Sequence, residues 1–338
     1  MNRELFTTLC DLEGVSGREH AVREFILQQL NRYDTPKEVS VDPMGNVLVH
    51  LKGKASAEKV VQFDAHMDEV GFIITHICDD GLVRFDKVGG INDDVLFGHR
   101  VRIGDQIGII GGKALHQCSG DDSKKVPSVS TIDIGAASKE EAEKLVKIGQ
   151  TGTFNSNLQW LPNDLFRGKA VDDRVGCLLL LEMAKTQPER DIWLSFSVQE
   201  EVGLRGAGAA AEFIKPDYAI AIDATTAADV AGSSDENAVC HMNKGAVVSF
   251  ADGATLYDSD LYNYIRDLAN KNDIPTQTNN KIAGGNNAGA LQRRGVGAIT
   301  TAISLPCRYI HSPACMGSVA DVEAMLRLLQ LLAEELTK

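Results

Sequence analysis

No run of apolar residues in this chain approaches the roughly 20 that a membrane-spanning helix needs. The longest, such as residues 177–181, end within a few positions. Basic residues are in deficit, 34 against 47 acidic ones, for a formal charge of −13. A phosphate backbone is held by a basic surface, so nucleic acid is excluded as an expected partner. Cysteine is sparse and unpatterned. The seven are Cys10, Cys78, Cys118, Cys177, Cys240, Cys307 and Cys315, odd in number and without a C-x-x-C pair. That excludes a disulfide framework or a cysteine zinc site and leaves reduced thiols in a cytoplasm as the expectation. The opening MNRELFTTLCDLEG carries acidic residues and no apolar core, unlike a secretory leader. Internal repeats and low-complexity linkers are also missing. What is present is ordinary for a folded protein: 43% hydrophobic and 24% charged residues over 338 positions, enough for one large domain or two.

Three textures follow one another. The N-terminal part predicts a helix capped by Ser16 with Glu19 three residues on, a capping box, and with Val22, Phe25, Ile26 and Leu30 on one face. Strands are expected at 46–51 and 59–64. Between about 70 and 167 short Val- and Ile-rich segments alternate with glycines, as in a small barrel or sandwich, broken by a polar patch at 119–125 and a helical stretch at 139–147. From 168 onward helices (174–186, 204–214, 258–272, from 319) alternate with strands (192–198, 218–222, 298–303). Alternation of this kind gives a sheet covered on both faces. The expected fold is therefore α/β, a three-layer α/β/α domain from 1–68 and 167–338, interrupted by a β-rich insertion at 69–166.

Acids and histidines gather at five places, three of them directly after expected strands. DAHMDEVG (64–71) sets His66 and Asp68 two apart, on one side of an extended chain. Asp68 could hold the ring of a ligating His66, or His66 could simply be exposed. GKAVDDRVG (168–176) offers Asp172 and Asp173 before a helix, where either could be an N-cap. SVQEEVG (197–203) offers Glu200 and Glu201, a pair that would also suit a helix dipole. Asp223 ends an otherwise apolar strand, and His311 precedes a proline turn in RYIHSP (308–313). Neutral imidazole is a common metal ligand. Ligands in open α/β sheets bind beyond the carboxyl ends of strands, so the five can converge.

With LEGVSGRE (12–19), Asp-Pro-Met-Gly-Asn (42–46), QEEVGLRGA, AIDATTA and ISLPCRYIHSP (303–313), these motifs in this order resemble the M42 metallo-aminopeptidases of the TET and glutamyl-aminopeptidase type, over nearly the whole chain. The resemblance implies two divalent metal ions, zinc or cobalt. It matches His66, Asp172 and Asp223 to one ion and Asp172, Glu201 and His311 to the other, with Asp172 as the bridge. It matches Asp68 to the residue orienting His66, and Glu200 to the general base for attack by a metal-held hydroxide. It also implies short peptides as substrate, and a barrel-like insertion that makes dimers, which assemble into dodecamers. Two departures stand out. The family commonly has Gly-Thr-Asp-Ala where this chain has Gly285-Asn286-Asn287-Ala288, and Glu where it has Cys315. Both fall in turns that could line the substrate pocket, which bears on specificity. A two-metal N-acyl amino acid deacylase and a non-catalytic metal-binding assembly protein are the rival readings. A metal-free glycosidase would leave both histidines unexplained.

Overall fold

The computed structural model describes residues 1–112, 129–233, 238–282 and 284–338. Cys118 and the polar patch 119–125 lie outside the described residues. The chain opens on a helix the sequence reading did not assign, Arg3–Asp11, capped by the Asn2 side chain, which accepts from the amide of Leu5 at 3.1 Å. The helix expected from Ser16 begins instead at His20 and runs to Leu30. Ser16 Oγ donates to Asp68 at 2.6 Å, and Glu19 accepts the amides of Gly17 and Gln199. Both side chains of the expected capping box are thus drawn into tertiary contacts.

Three strands follow: β1 (Lys37–Val41), β2 (Val47–Leu51) and β3 (Val61–His66). The chain then leaves for a closed six-stranded barrel made of β4 (Gly71–Ile77), β5 (Val83–Val88), β6 (Arg100–Ile103), β7 (Gln106–Gly112), β8 (Val129–Asp133) and β9 (Thr151–Phe154). Around the barrel the order is β4-β5-β8-β7-β6-β9, with β9 closing on β4. Period-two alternation fills its interior. Phe72 and Ile74, Val101 and Ile103, Ile110, Ile132 and Phe154 form a core separate from the rest of the molecule.

On its return the chain adds β10 (Gln159–Leu161), β11 (Leu165–Gly168), β12 (Ile192–Ser197), β13 (Tyr218–Thr226), β14 (Ala246–Val248), β15 (Thr276–Gln277), β16 (Ile299–Cys307) and β17 (Cys315–Ser318). The central sheet has the order β1-β2-β12-β3-β13-β16-β14-β15. Its middle strands β12, β3, β13 and β16 run parallel, so their carboxyl ends open on one edge. β10, β11 and β17 form a small separate sheet.

The strand sequences explain why both faces are covered. In β13, Ile220 and Ile222 enter the large core, while Ala219 and Ala221 enter a second one with Ala207, Ala211, Ala288 and Leu291. Helices Arg205–Ile214 and Ala288–Leu291 supply the small residues of that second face. On the first face the helix Val171–Ala184 is apolar nearly all round and buried along its length. It packs on β3 and β13, and Val319–Glu335 packs beside it on β16. These parallel strands are buried on both sides, as such sheets require. No described helix is long and apolar enough to cross a membrane.

Candidate active site

The carboxyl edge of the parallel strands gathers the seven residues that the resemblance matches to metal ions or to catalysis: His66, Asp68, Asp172, Glu200, Glu201, Asp223 and His311. His66 is the last residue of β3. Its Nδ1 lies 3.1 Å from the Asp68 carbonyl oxygen and 3.3 Å from Asp68 Oδ1. Asp68 does more than orient that ring. Its Oδ1 accepts the amide of Glu200 at 3.0 Å and its Oδ2 the amide of Glu201 at 3.1 Å, alongside the Ser16 hydroxyl. One buried carboxylate therefore fixes an imidazole and the backbone of two acids.

Asp172 and Asp173 begin the helix Val171–Ala184 with non-helical backbone angles. They divide the two roles that the sequence left open. Asp173 turns inward and accepts the amides of Gly176 at 3.0 Å and His66 at 3.2 Å, so the helix-start role is its own. Asp172 turns to the site. Its Oδ1 lies 3.2 Å from His66 Nε2 and its Oδ2 lies 3.2 Å from His311 Nε2. Asp223 sits within β13, which continues past it to Thr226, and its Oδ1 is 4.0 Å from His66 Nε2. His311 follows β16, and its Nδ1 is 2.7 Å from the Gly90 carbonyl on the loop after β5. In each histidine a carbonyl oxygen faces Nδ1, so that nitrogen donates, and Nε2 is the ring atom turned toward the carboxylates.

Five non-glycine residues flanking these groups have left-handed backbone: Ala170, Gln199, Leu204, Tyr309 and His311, with φ between 54° and 59°. Such a conformation costs on the order of 1 kcal/mol or more for an L residue, and it collects where geometry is imposed by function.

The electrostatics show what the cluster can hold. Burial pushes Glu200 up to about 8, against the pull of His66 and with the help of the Glu201 and Asp172 charges. Burial and Asp172 push Asp223 well above the usual carboxylate range. Burial also acts on Asp172, but its contacts with His311 and His66 hold it below that range. Burial disfavours a charged His311, yet Asp172 and Glu201 raise it to about 12. Bare, the cluster carries more negative charge than it can keep, and it draws protons to offset it. Divalent cations relieve the same excess.

The donor set fits them. His66, Asp172 and Asp223 present one ligand atom each within 4.8 Å of one another, as do Asp172, Glu201 and His311. His66, Glu200 and Glu201 form a third such trio. Glu201 Oε1 lies 3.2 Å from His311 Nε2 but without hydrogen-bond geometry, and this buried oxygen has no hydrogen-bond partner. A cavity of about 560 Å³ opens over Asp172, Glu200, Glu201, Asp223 and His311.

Glu69, Lys169 and Arg174, inside the same motifs, escaped the sequence reading. Glu69, next to Asp68, is buried and accepts from Gly14 N, Thr153 Oγ1 and Lys169 Nζ. Arg174 is fully buried against the carbonyls of Leu9, Leu12 and Met67, with Glu69 3.5 Å away. Their signal was the charge pattern itself, an acid in DEVG answered by a base in GKAVDDR. The departures also find their places. Asn287 does not reach the cavity. It lies beneath β3 and β12 and donates to Asp64 Oδ2 at 2.8 Å and Ser197 Oγ at 2.9 Å. Cys315 is buried and, with Asp172, Glu201 and His311, lines a gap of about 10 Å³. Of the turns expected to line the substrate space, it is Gly284, Gly285 and Asn286 that do so.

Residues 45–328 match the M42 glutamyl aminopeptidase family. The lysyl aminopeptidase of Pyrococcus furiosus is 33% identical over 98% of this chain and 97% of its own. The TET aminopeptidase of a marine-sediment Thaumarchaeota archaeon superposes with a TM-score of 0.93 at 33% identity, covering 98% of this chain and 96% of that one. The TET1 peptidase of Pyrococcus horikoshii, which can assemble into a tetrahedron or a large octahedral shell, gives a TM-score of 0.86 at 33% identity over 98% and 99%. By fold and kinship the protein is a peptide hydrolase of the aminopeptidase class. The chain belongs to the M42 family.

Proposed function

We propose that this protein is a two-metal aminopeptidase that removes N-terminal residues from short peptides in a cytoplasm. The observation that carries the reading is the double use of Asp172, whose two oxygens each face a different histidine at 3.2 Å. A carboxylate so placed could serve two cation positions at once. His66, Asp172 and Asp223 would hold one ion, and Asp172, Glu201 and His311 the other, with zinc or cobalt suiting these imidazole and carboxylate donors. Two such ions supply polarisation of the scissile carbonyl and a nucleophile from water at neutral pH. Asp68 keeps His66 and the Glu200–Glu201 backbone in register. Glu200, a carboxylate lining the cavity, would take the proton of the attacking water and pass it to the leaving amine.

A panel of aminoacyl-p-nitroanilides assayed with added Zn²⁺, Co²⁺ and Mn²⁺ tests this. Hydrolysis is expected with free α-amines and not with N-acetylated ones. Cleavage confined to the acetylated compounds would make the protein a deacylase, and no cleavage of either would leave a non-catalytic metal binder.

The unit 69–166 would serve self-association, first to dimers and then to a dodecamer. Its apolar segments support this. Val101, Ile103 and Ile110 fill the barrel, while Phe97, Ile107, Ile109 and Ile148 stay exposed. Light scattering at micromolar concentration is expected to give a dodecamer of the 36.5 kDa chain. A fully active monomer would refute assembly, and a stable dimer would limit it to the first step.

A further inference from the structure

Asp64 opens the DAHMDEVG motif, yet it belongs to none of the ligand trios and does not line the cavity. It is fully buried on the second face of the sheet, beside Ala221 of β13. Its Oδ1 accepts from the Ser195 hydroxyl, and its Oδ2 from Ser197 Oγ at 3.0 Å and Asn287 Nδ2 at 2.8 Å. The same Asn287 nitrogen also donates to Ser197 Oγ at 2.9 Å. None of the three donor groups is charged. Burying an acid among neutral donors is costly, and a well-packed apolar residue is often as stable or more so. What a satisfied polar network adds is one fixed arrangement of its members.

The arrangement matters because of what the partners carry. Asp64 stands two residues before His66 in β3, and Ser197 ends β12 three residues before Glu200. Asn287 follows Gly284, Gly285 and Asn286, which form one wall of the cavity. The short helix after it, Ala288–Leu291, packs on β13 and β16, with Ala288 among Ala219, Ala221 and Ala302. Methyl groups interlock weakly and apolar contact is non-directional, so this packing alone leaves the wall free to shift along the strands. The Asn287 amide, bonded to the ends of two strands, removes that freedom. Asn286 then ties the wall to the loop across the cavity by donating to Asp252 Oδ2 at 3.0 Å.

We infer that Asn287 and Asp64 are a positioning pair, whose hydrogen bond sets the substrate wall at its distance from the strands bearing His66 and Glu200. The inference rests on the aminopeptidase reading. Neither side chain lines the cavity, so the pair governs how a peptide is seated and not the hydrolytic step itself. A displaced wall weakens binding of the substrate and its transition state alike, which raises KM and spares kcat.

Asn287→Ala tests this in the metal-loaded enzyme, on the aminoacyl-p-nitroanilide that the unaltered protein cleaves fastest. KM is expected to rise about tenfold, with kcat within about threefold and metal content unchanged. Should alanine prevent folding, Asn287→Leu, similarly branched and without donors, carries the same expectation. The exchanged pair, Asp64→Asn with Asn287→Asp, keeps one carboxylate facing one amide with their places reversed. It should return KM to within about threefold of the unaltered protein. A purely structural role predicts a lower melting temperature with KM unmoved, and that result would overturn the inference. So would a loss of metal, a fall in kcat alone, or an exchanged pair no better than the single variant. Each of these leaves the aminopeptidase reading standing. An unaltered protein that cleaves no member of the series would overturn that reading and this inference with it.

Discussion

Glu200→Gln should lower kcat by roughly 10²–10⁴-fold with metal content near that of the unaltered protein. The glutamine keeps the shape of the side chain, and the backbone amide of residue 200 still donates to Asp68. What disappears is the only property the proposed mechanism asks of this residue, a carboxylate able to accept a proton and release it. A neutral amide has no comparable basicity. Steady-state kinetics and elemental analysis on one preparation decide the matter. Activity within a few-fold of wild type would mean the base is misassigned. Loss of both ions would move Glu200 into the ligand set, a role its trio with His66 and Glu201 allows.

Asp172→Asn should be the most damaging ligand change. Bound metal is expected to fall from about two ions per chain to well below one, and activity to fall below detection. Each Asp172 oxygen faces a different histidine, so the substitution weakens both positions at once. An asparagine has one acceptor oxygen, and its amide nitrogen would point a donor at a site built for cations. Asp223→Asn is the informative contrast. Asp223 stands in only one trio, and its loss should spare the second ion. A chelator applied to the unaltered protein should abolish activity, with recovery on adding metal back. If Asp172→Asn kept two ions, or if chelation left activity untouched, the bridged arrangement would be wrong.

Much of this was legible because it depends on chain order and residue type. Alternating helix and strand textures gave the three-layer sheet, and short Val- and Ile-rich segments gave the barrel. Most of the seven candidate residues sit at or just beyond the ends of strongly patterned strands, where an acid or histidine stands out from an apolar background; Asp223 lies inside β13 and Asp172 opens a helix. What was hidden depends on distant partners. Ser16 and Glu19 satisfy a local capping pattern, yet the acceptor Asp68 and the Gln199 amide outcompete it. The choice between Asp172 and Asp173 is set by which carboxylate can reach the His66 amide, not by spacing. The helix Arg3–Asp11 went unassigned although Leu5, Phe6, Leu9 and Cys10 line one buried side, because a short amphipathic stretch near a terminus gives a weak signal. Arg174 reads as a surface residue on composition alone, and only its three carbonyl acceptors explain how it can be buried.

The carboxylate of Glu69 has a consequence for how the protein can be cut apart. It is bonded to Gly14 near the N-terminus, to Lys169 just before the site helix, and to Thr153 on a barrel strand. At the same junction a Cβ on Gly71 would lie 2.6 Å from the Gly152 carbonyl, so the two strands leaving and entering the barrel are pressed together at the hinge. The barrel is therefore not a bead on a string. It cannot swing as a lid without separating a buried acid from its hydroxyl donor, one residue away from the carboxylate that fixes His66. Excising it behind a short linker would expose an anchor shared by both halves, and a minimal catalyst trimmed to the α/β sheet would need that anchor rebuilt.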